Sequence, residues 1–219
     1  MIYTVTTDAS GAREAAQRGQ LVVVVDVIDM STTAEAAYQG GALAVYGASP
    51  DETASPVPRD PTWMASYAAK EAKERSAELI VAAEPRTGSE AMQRQVAGKV
   101  FAALAKEGIE PTVVGNLGAE VTRLVDFKGK VVLIVSATGG VAFEAAALAH
   151  PQGPRGVLTA TIARSGKLRG SQAARAGIQR AISQAGERGI CIAAASGQSL
   201  EDVLAAQYLY ELLLERVRR

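Results

Sequence analysis

The sequence predicts an α/β protein in which helices cover both faces of a mainly parallel β-sheet. Short apolar segments of strand length alternate along the chain with longer helical patterns, an order typical of a parallel sheet. The segment Leu21–Val25 is one leucine followed by four valines, as expected of a strand that is buried on both faces. With 219 residues, of which 48% are apolar, the chain is long enough to form a large core.

The individual elements follow from apolar runs and from the residues that end them. Hydroxyl residues at the start of the segment 31–39 can cap a helix, and Gly40 and Gly41 end it. Four prolines between residues 48 and 61 predict a long loop. We predict strands at residues 2–5, 21–25, 42–46, 78–83, 112–114, 131–135, 157–162 and 190–194. We predict helices at residues 31–39, 62–75, 89–106, 118–125, 141–149, 171–185 and 200–218.

Composition excludes several classes of function. The 23 basic residues balance 23 acidic ones, so the chain has no electrostatic footprint for nucleic acid or for a membrane surface. One cysteine excludes an intrachain disulfide, and one histidine excludes a two-histidine zinc centre. The start of the chain resembles a strand, with no signal peptide or apolar run long enough to cross a bilayer. We therefore expect a cytoplasmic protein whose residues 1–219 form one domain.

Polar residues follow most of the predicted strands. In open α/β sheets the ligand binds outside the carboxyl ends of the strands, so residues that leave the strands there are candidate site residues. These residues are Asp26, Asp29, Glu84, Arg86, Asn116, Thr138, Gly139 and Arg164.

Asp26 is the most informative of these residues. A carboxylate at the end of a four-valine strand is costly to bury unless it is paired or binds a cation. Mg²⁺ is the expected ion, because it is held by one or two carboxylates together with water and substrate oxygens, and Glu84 is the second candidate ligand. The alternative interpretation is that Asp26 only caps the turn that follows it.

Two predicted helix starts could bind an anion. Ser31, Thr32 and Thr33 place hydroxyls and backbone amides at one of them, and Thr138 and Gly139 lie at the other. Ordinary helix capping explains either group equally well. Arg164 belongs to a short basic segment that could clamp a phosphate or carboxylate, or could simply be a solvated loop.

Several catalytic motifs are missing from the sequence. The phosphate-binding pattern G-x-x-x-x-G-K-[ST] does not occur, nor does G-x-G-x-x-G after a strand. The nucleophile motif G-x-S-x-G is missing as well. A haloacid-dehalogenase type of phosphatase requires a second aspartate two residues after Asp26, where this chain has Ile28.

Four segments occur in an order that is typical of one protein family. Residues 22–33 (VVVVDVIDMSTT) resemble the signature VVVIDVLRASTT, and residues 115–120 (GNLGAE) resemble GNSPLE. Residues 136–142 (SATGGVA) are similar to TTNGTxA, and residues 199–206 (SLEDVLAA) to LEDVLAAG. The chain thus resembles the 2-phosphosulfolactate phosphatases, the ComB-like proteins, over nearly its whole length.

The resemblance implies a three-layer α/β/α sandwich around a mixed sheet and Mg²⁺-dependent hydrolysis of a small anionic substrate. The family reaction converts 2-phosphosulfolactate to sulfolactate and phosphate, in coenzyme M biosynthesis or other sulfonate metabolism. The resemblance implies that Asp26 is the metal or catalytic carboxylate and that Ser31, Thr32 and Thr33 hold the phosphoryl group. It also implies that Asn116, Glu120, Thr138 and Gly139 line the site. From the chemistry of phosphoryl transfer, we expect Glu84 as the second metal ligand and Glu84 or Asp29 as the group that acts on the attacking water. Arg86 and Arg164 are the cations that we expect to bind the anionic substrate.

Three positions depart from the family signatures. Asp29 stands where the signature has arginine, Thr138 replaces an asparagine and Gly140 replaces a threonine. A second hypothesis is therefore a diverged non-phosphatase homologue that binds a small anionic metabolite. A third is an interaction protein whose sheet only presents a surface. A homo-oligomer is the default expectation for an α/β enzyme of this kind.

Overall fold

The computed structural model describes residues 1–218, which form eight strands and eight α-helices. In chain order these are β1 (Tyr3–Thr7), α1 (Asp8–Gln17), β2 (Leu21–Val25), α2 (Met30–Gln39), β3 (Ala44–Ala48), α3 (Pro61–Glu74), β4 (Leu79–Ala83), α4 (Glu90–Val96), α5 (Gly98–Lys106), β5 (Thr112–Gly115), β6 (Val131–Val135), α6 (Gly139–Ala149), β7 (Val157–Thr159), α7 (Ser171–Ala185), β8 (Ile190–Ala194) and α8 (Leu200–Val217). No helix within these residues has both the length and the apolar character that a membrane span requires.

The strands form two four-stranded sheets, and every neighbouring pair of strands is parallel. The first sheet has the order β1-β8-β2-β7, and the second has the order β3-β6-β4-β5. The second sheet therefore comes from one continuous part of the chain, and the two flanking parts build the first. The expected α/β class with α/β/α layering is confirmed, with two wholly parallel sheets in place of one mixed sheet.

Helices α2 and α6 lie between the two sheets, because each contacts strands of both. In β2 the side chains alternate between the two faces of the first sheet. Val22 and Val24 face the core that contains α1, α2 and α6, whereas Leu21, Val23 and Val25 face α7 and α8. In β3 of the second sheet, Tyr46 meets Tyr67 of α3 edge to face, with ring centroids 5.3 Å apart.

Glycines allow the shared helices to approach β3 closely. A Cβ atom at Gly47 would overlap Met30 of α2, and one at Gly140 of α6 would overlap the carbonyl oxygen of Ala48. Close backbone approach of this kind is possible only where the side chain is missing. The spacing between α6 and the second sheet therefore depends on Gly140.

The structure differs from the sequence-based elements at four places. Helix α1 was not predicted, and the predicted helix 89–106 is two helices that meet at Ala97, whose φ and ψ angles of −111° and 34° interrupt the helix. The predicted helix 118–125 is a 3₁₀ helix, Gly118–Arg123. The strand predicted at 157–162 ends at Thr159. The loop predicted at 48–61 is confirmed, except that its last residue, Pro61, is the first residue of α3.

We expect the Gly140→Ala substitution to destabilise the protein by about 1–3 kcal/mol, the usual cost of overpacking a core. The reason is that the added methyl would meet the backbone of Ala48, which has no room to move. Gly98→Ala is the matched control, because only the flexible end of Asp51 lies near its added methyl. Urea unfolding of both variants measures the difference, and equal stabilities would contradict this packing argument.

Candidate functional site

The carboxyl edges of the two sheets meet at Asp26. This residue follows β2 of the first sheet. Gly139 begins α6, which follows β6 of the second sheet after a short loop. The backbone N–H of Gly139 donates a hydrogen bond of 2.7 Å to Oδ2 of Asp26. Oδ1 accepts a second bond of 3.2 Å from the N–H of Asp29, the residue before α2. One carboxylate thus contacts the starts of both shared helices.

Burial shifts the protonation of Asp26. The residue is only 2% exposed, and its pKa is raised from 3.8 to about 7, with this desolvation as the largest cause. The negative charges of Asp202 and Asp29 contribute to the rise, whereas backbone hydrogen bonds from Met30 and Asp29 oppose it. The surroundings of Asp26 therefore favour its protonated form more than water does.

Glu84 holds the other side of the loop after β6. Its Oε2 accepts a 3.2 Å hydrogen bond from the N–H of Ala137, two residues before the amide that Asp26 binds. Burial raises the pKa of Glu84, the Ala137 amide lowers it, and the charge of Asp29 raises it again. The loop between β6 and α6 is therefore held between two carboxylates from different sheets.

Asp29 interacts electrostatically with three other acids, Asp26, Glu84 and Asp202, and we call these four residues the carboxylate cluster. The charge of Asp29 raises the pKa of each of the other three members, after desolvation as the main cause in each case. Asp29 also pairs with Arg86 at 3.2 Å.

Asp202 reaches the cluster from the first turn of α8. Its Oδ1 accepts a 2.8 Å hydrogen bond from the N–H of Val27, and Ser199 caps the same helix by accepting from the Asp202 amide. The sequence analysis did not single out this carboxylate as a site residue. The signal that could have identified it was its position in the segment that resembles LEDVLAAG.

The hydroxyls of Ser31 and Thr33 bond to protein atoms. Ser31 Oγ accepts from the amide of Asp26 and donates to the carbonyl of Val24. Thr33 Oγ1 donates to Oδ1 of Asn116 and accepts from the amide of Gly118. Because both hydroxyls are fully buried, in this conformation they fix the start of α2.

Thr32 contributes to the same region. Its hydroxyl donates to the carbonyl of Val27 and lies 3.0 Å from the hydroxyl of Thr161, a residue that sequence reasoning did not single out. Thr161 comes two residues after β7, so the contact joins the ends of β2 and β7.

Asn116 offers an unused hydrogen-bond donor. The residue is fully buried, and its Nδ2 has no hydrogen-bond partner among residues 1–218. The Asn116 side chain also opposes the rise in the pKa of Glu84, because it favours the ionised carboxylate. An unpaired buried donor is costly, which favours a site that an acceptor from a ligand completes.

The remaining predicted residues lie around this centre. Arg164 pairs with Glu120, which links the loop after β7 to the 3₁₀ helix after β5. Glu120 also pairs with Arg123 at 2.7 Å. Thr138 occupies the position before α6 with a half-buried side chain that makes no capping hydrogen bond. All the predicted positions thus follow strands at one edge, with Asp26, Asp29, Glu84 and Asn116 at its centre.

The carboxylates at this edge are of the donor type that Mg²⁺ uses in proteins. Within residues 1–218, no three acidic, histidine or cysteine side chains converge tightly enough to enclose a metal ion. Protein Mg²⁺ sites commonly use one or two carboxylates and complete the shell with water and substrate oxygens. Asp26 and Glu84 are two carboxylates that bond to the loop after β6, and repulsion from Asp29 contributes, after desolvation, to the raised pKa of each.

No protein-family model matches the chain, and neither a curated protein nor a solved structure is significantly similar to it. The resemblance to 2-phosphosulfolactate phosphatases therefore rests on the four sequence segments alone.

The raised pKa of Asp26 predicts how the stability of the protein depends on pH. Because the pKa of Asp26 is about 7 in the folded protein and 3.8 in the unfolded chain, protonation of Asp26 stabilises the fold. This stabilisation is complete below pH 3.8 and is lost as the pH rises through about 7. In EDTA, the free energy of unfolding of the wild type should fall by up to about 4 kcal/mol across this window. Urea unfolding at pH 4 and pH 8 measures it.

Asp26→Asn should lose much less stability between the same two pH values, because it removes the titrating group. Asp126→Asn is the control, since Asp126 is an exposed residue that should leave the wild-type dependence intact. An Asp26→Asn protein with the full wild-type dependence would show that another group causes it.

Proposed function

We propose that the chain is a Mg²⁺-dependent phosphoric monoester hydrolase that acts on a small phosphorylated acid. The sequence resemblance favours 2-phosphosulfolactate as the substrate, with sulfolactate and phosphate as products. The observation that carries the proposal is the carboxylate cluster at the carboxyl edge, with the unpaired amide of Asn116 beside it.

The charge at this edge supports a requirement for a metal. The nearby cations Arg86 and Arg164 each pair with an acid, Asp29 and Glu120 respectively. An anionic substrate would therefore meet an excess of negative charge. A divalent cation resolves this conflict, because it neutralises the carboxylates and attracts phosphate oxygens.

The chain's own groups fit the remaining steps of phosphoryl transfer. Asp26 and Glu84 would hold Mg²⁺, which when bound supplies the charge that stabilises the phosphoryl oxygens. The Nδ2 of Asn116 is free to donate a hydrogen bond to one of these oxygens. Glu84, whose pKa burial raises, is suited to accept a proton from the attacking water. Asp29 is the second candidate for that role, and Arg86 holds its carboxylate in place.

One observation favours a diverged anion-binding protein as the second candidate. The hydroxyls of Ser31 and Thr33, which the resemblance implies as phosphoryl ligands, already have protein partners. A protein of this second kind would be stabilised by a small anionic metabolite but would not turn it over.

The test is an assay of phosphate release from small phosphomonoesters, including 2-phosphosulfolactate and phospholactate. We expect release with Mg²⁺ and none with EDTA. Asp26→Asn and Glu84→Gln should each lower kcat/KM by at least about 100-fold, the scale of a lost catalytic carboxylate.

Glu78→Gln is the matched control for Glu84→Gln. Glu78 lies before the same strand, β4, at the opposite edge, and it is an exposed partner of Lys130. Its activity should equal that of the wild type. Thermal stabilisation by the substrates without phosphate release would favour the second candidate. If the substrates cause neither stabilisation nor phosphate release, both candidates are rejected.

A further inference from the structure

A cleft of about 350 Å³ lies at the opposite edge of the two sheets from the carboxylate cluster. It is bounded by the starts of β3 and β7, so the amino ends of strands from both sheets meet there. Four arginines line it, namely Arg75, Arg155, Arg180 and Arg188. We call this feature the arginine cleft.

Two of the four arginines share one carboxylate. The buried Glu71 accepts a 2.6 Å hydrogen bond from Nε of Arg75, and Nη2 of Arg155 lies 3.4 Å from its other oxygen. Desolvation would raise the pKa of Glu71, but these two guanidinium groups hold it below its usual value. The Arg155 side chain is 64% exposed and has one acidic partner among residues 1–218, so it can reach another acceptor.

Arg180 is anchored more firmly. It pairs with the buried Glu35, donates to the carbonyl of Thr159 at 3.1 Å and lies over the ring of Tyr38, 4.3 Å from its centre. These contacts fix one guanidinium group in the wall of the cleft.

Arg188 has only neutral partners. It donates to the carbonyls of Gln184 and Ala185 and to the side chain of Gln152, and within residues 1–218 no carboxylate pairs with it. After burial, its charge is the second cause that lowers the pKa of His150. Four guanidinium groups therefore face the two carboxylates of Glu35 and Glu71, which leaves two positive charges.

Helix ends explain only part of this arrangement. Arginines often neutralise helix C-termini, and Arg75 and Arg188 follow the ends of α3 and α7. Arg155 instead comes from the 3₁₀ helix Gly153–Gly156, and Arg180 lies inside α7. Buried carboxylates pair with both, Glu71 with Arg155 and Glu35 with Arg180, but the four guanidinium groups together still exceed these carboxylates by two charges.

We propose that the arginine cleft is a binding site for a small dianion, either a phosphate compound or a dicarboxylate. Guanidinium groups bind both oxyanions through paired, charge-assisted hydrogen bonds, and the two uncompensated charges match a dianion. The volume suits a metabolite of a few heavy atoms beyond its anionic groups. Tyr46, Leu43 and Pro154 supply apolar wall beside the arginines. The proposal does not rest on the function proposed for the carboxyl edge.

Isothermal titration calorimetry tests the site directly. Inorganic phosphate and succinate are titrated into the full chain at low ionic strength, after a chelating resin has removed divalent metals that could assist binding at the carboxylate cluster. We expect saturable binding of at least one dianion, with acetate binding about tenfold more weakly or not at all. Binding of phosphate alone assigns the cleft to phosphate compounds, and binding of succinate alone assigns it to dicarboxylates.

Arg155→Gln and Arg188→Gln should each weaken that binding by at least about tenfold, as expected when one charged contact is lost. Arg18→Gln is the matched control, because the Arg18 side chain is about as exposed as that of Arg155 and also pairs with one glutamate, but it lies outside the cleft. Circular dichroism verifies the fold, and the exposed Arg155 keeps the test valid if Arg188→Gln does not fold. Undetectable binding, or equal affinity in wild type and both variants, would overturn the proposal.

Discussion

The hydrogen bond from the Gly139 amide to Asp26 joins the first sheet to the second at their carboxyl edges. It has a cost, because it places a carboxylate that is 2% exposed next to other acidic groups. It also restricts the sequence, since a Cβ atom at Gly139 would overlap Oδ2 of Asp26. The contact is compatible with both interpretations that the sequence leaves open: Asp26 caps local structure, and it retains the second lone pair of each oxygen for a cation or a proton.

The rest of the edge is arranged around this junction. The loop after β6 is held by Asp26 on one side and by Glu84 on the other. The positions of these two carboxylates, which follow strands of different sheets, are therefore fixed relative to each other. The same geometry brings Asp29 into electrostatic contact with both. A cluster of this kind is expensive without a cation, and the paired Arg86 and Arg164 do not remove the excess charge. We regard that unresolved charge as the main physical reason to expect Mg²⁺ and an anionic substrate at this edge.

The sequence predicts local features better than the relation between elements. The run Leu21–Val25 and the polar residue after it were sufficient to place Asp26 at a strand end. Helix α1 was missed because its buried face consists of alanines, which give a weak hydrophobic signal. The division into two sheets depends on contacts between distant strands, which no local pattern records. For the same reason the sequence could not show that Ser31 and Thr33 already have partners or that Arg155 and Arg180 converge.

Amide hydrogen exchange at Gly139 tests the central role of Asp26 most directly. In the wild type, the Gly139 N–H should be protected because Asp26 is its acceptor. In Asp26→Asn the side-chain amide nitrogen cannot accept, and the single remaining oxygen cannot bond both the Gly139 and Asp29 amides as the carboxylate does. We predict a loss of protection at Gly139 or at Asp29, while Ala142, which bonds within the helix to Thr138, keeps its protection. Unchanged protection at both amides would contradict the view that this carboxylate holds the two sheets together.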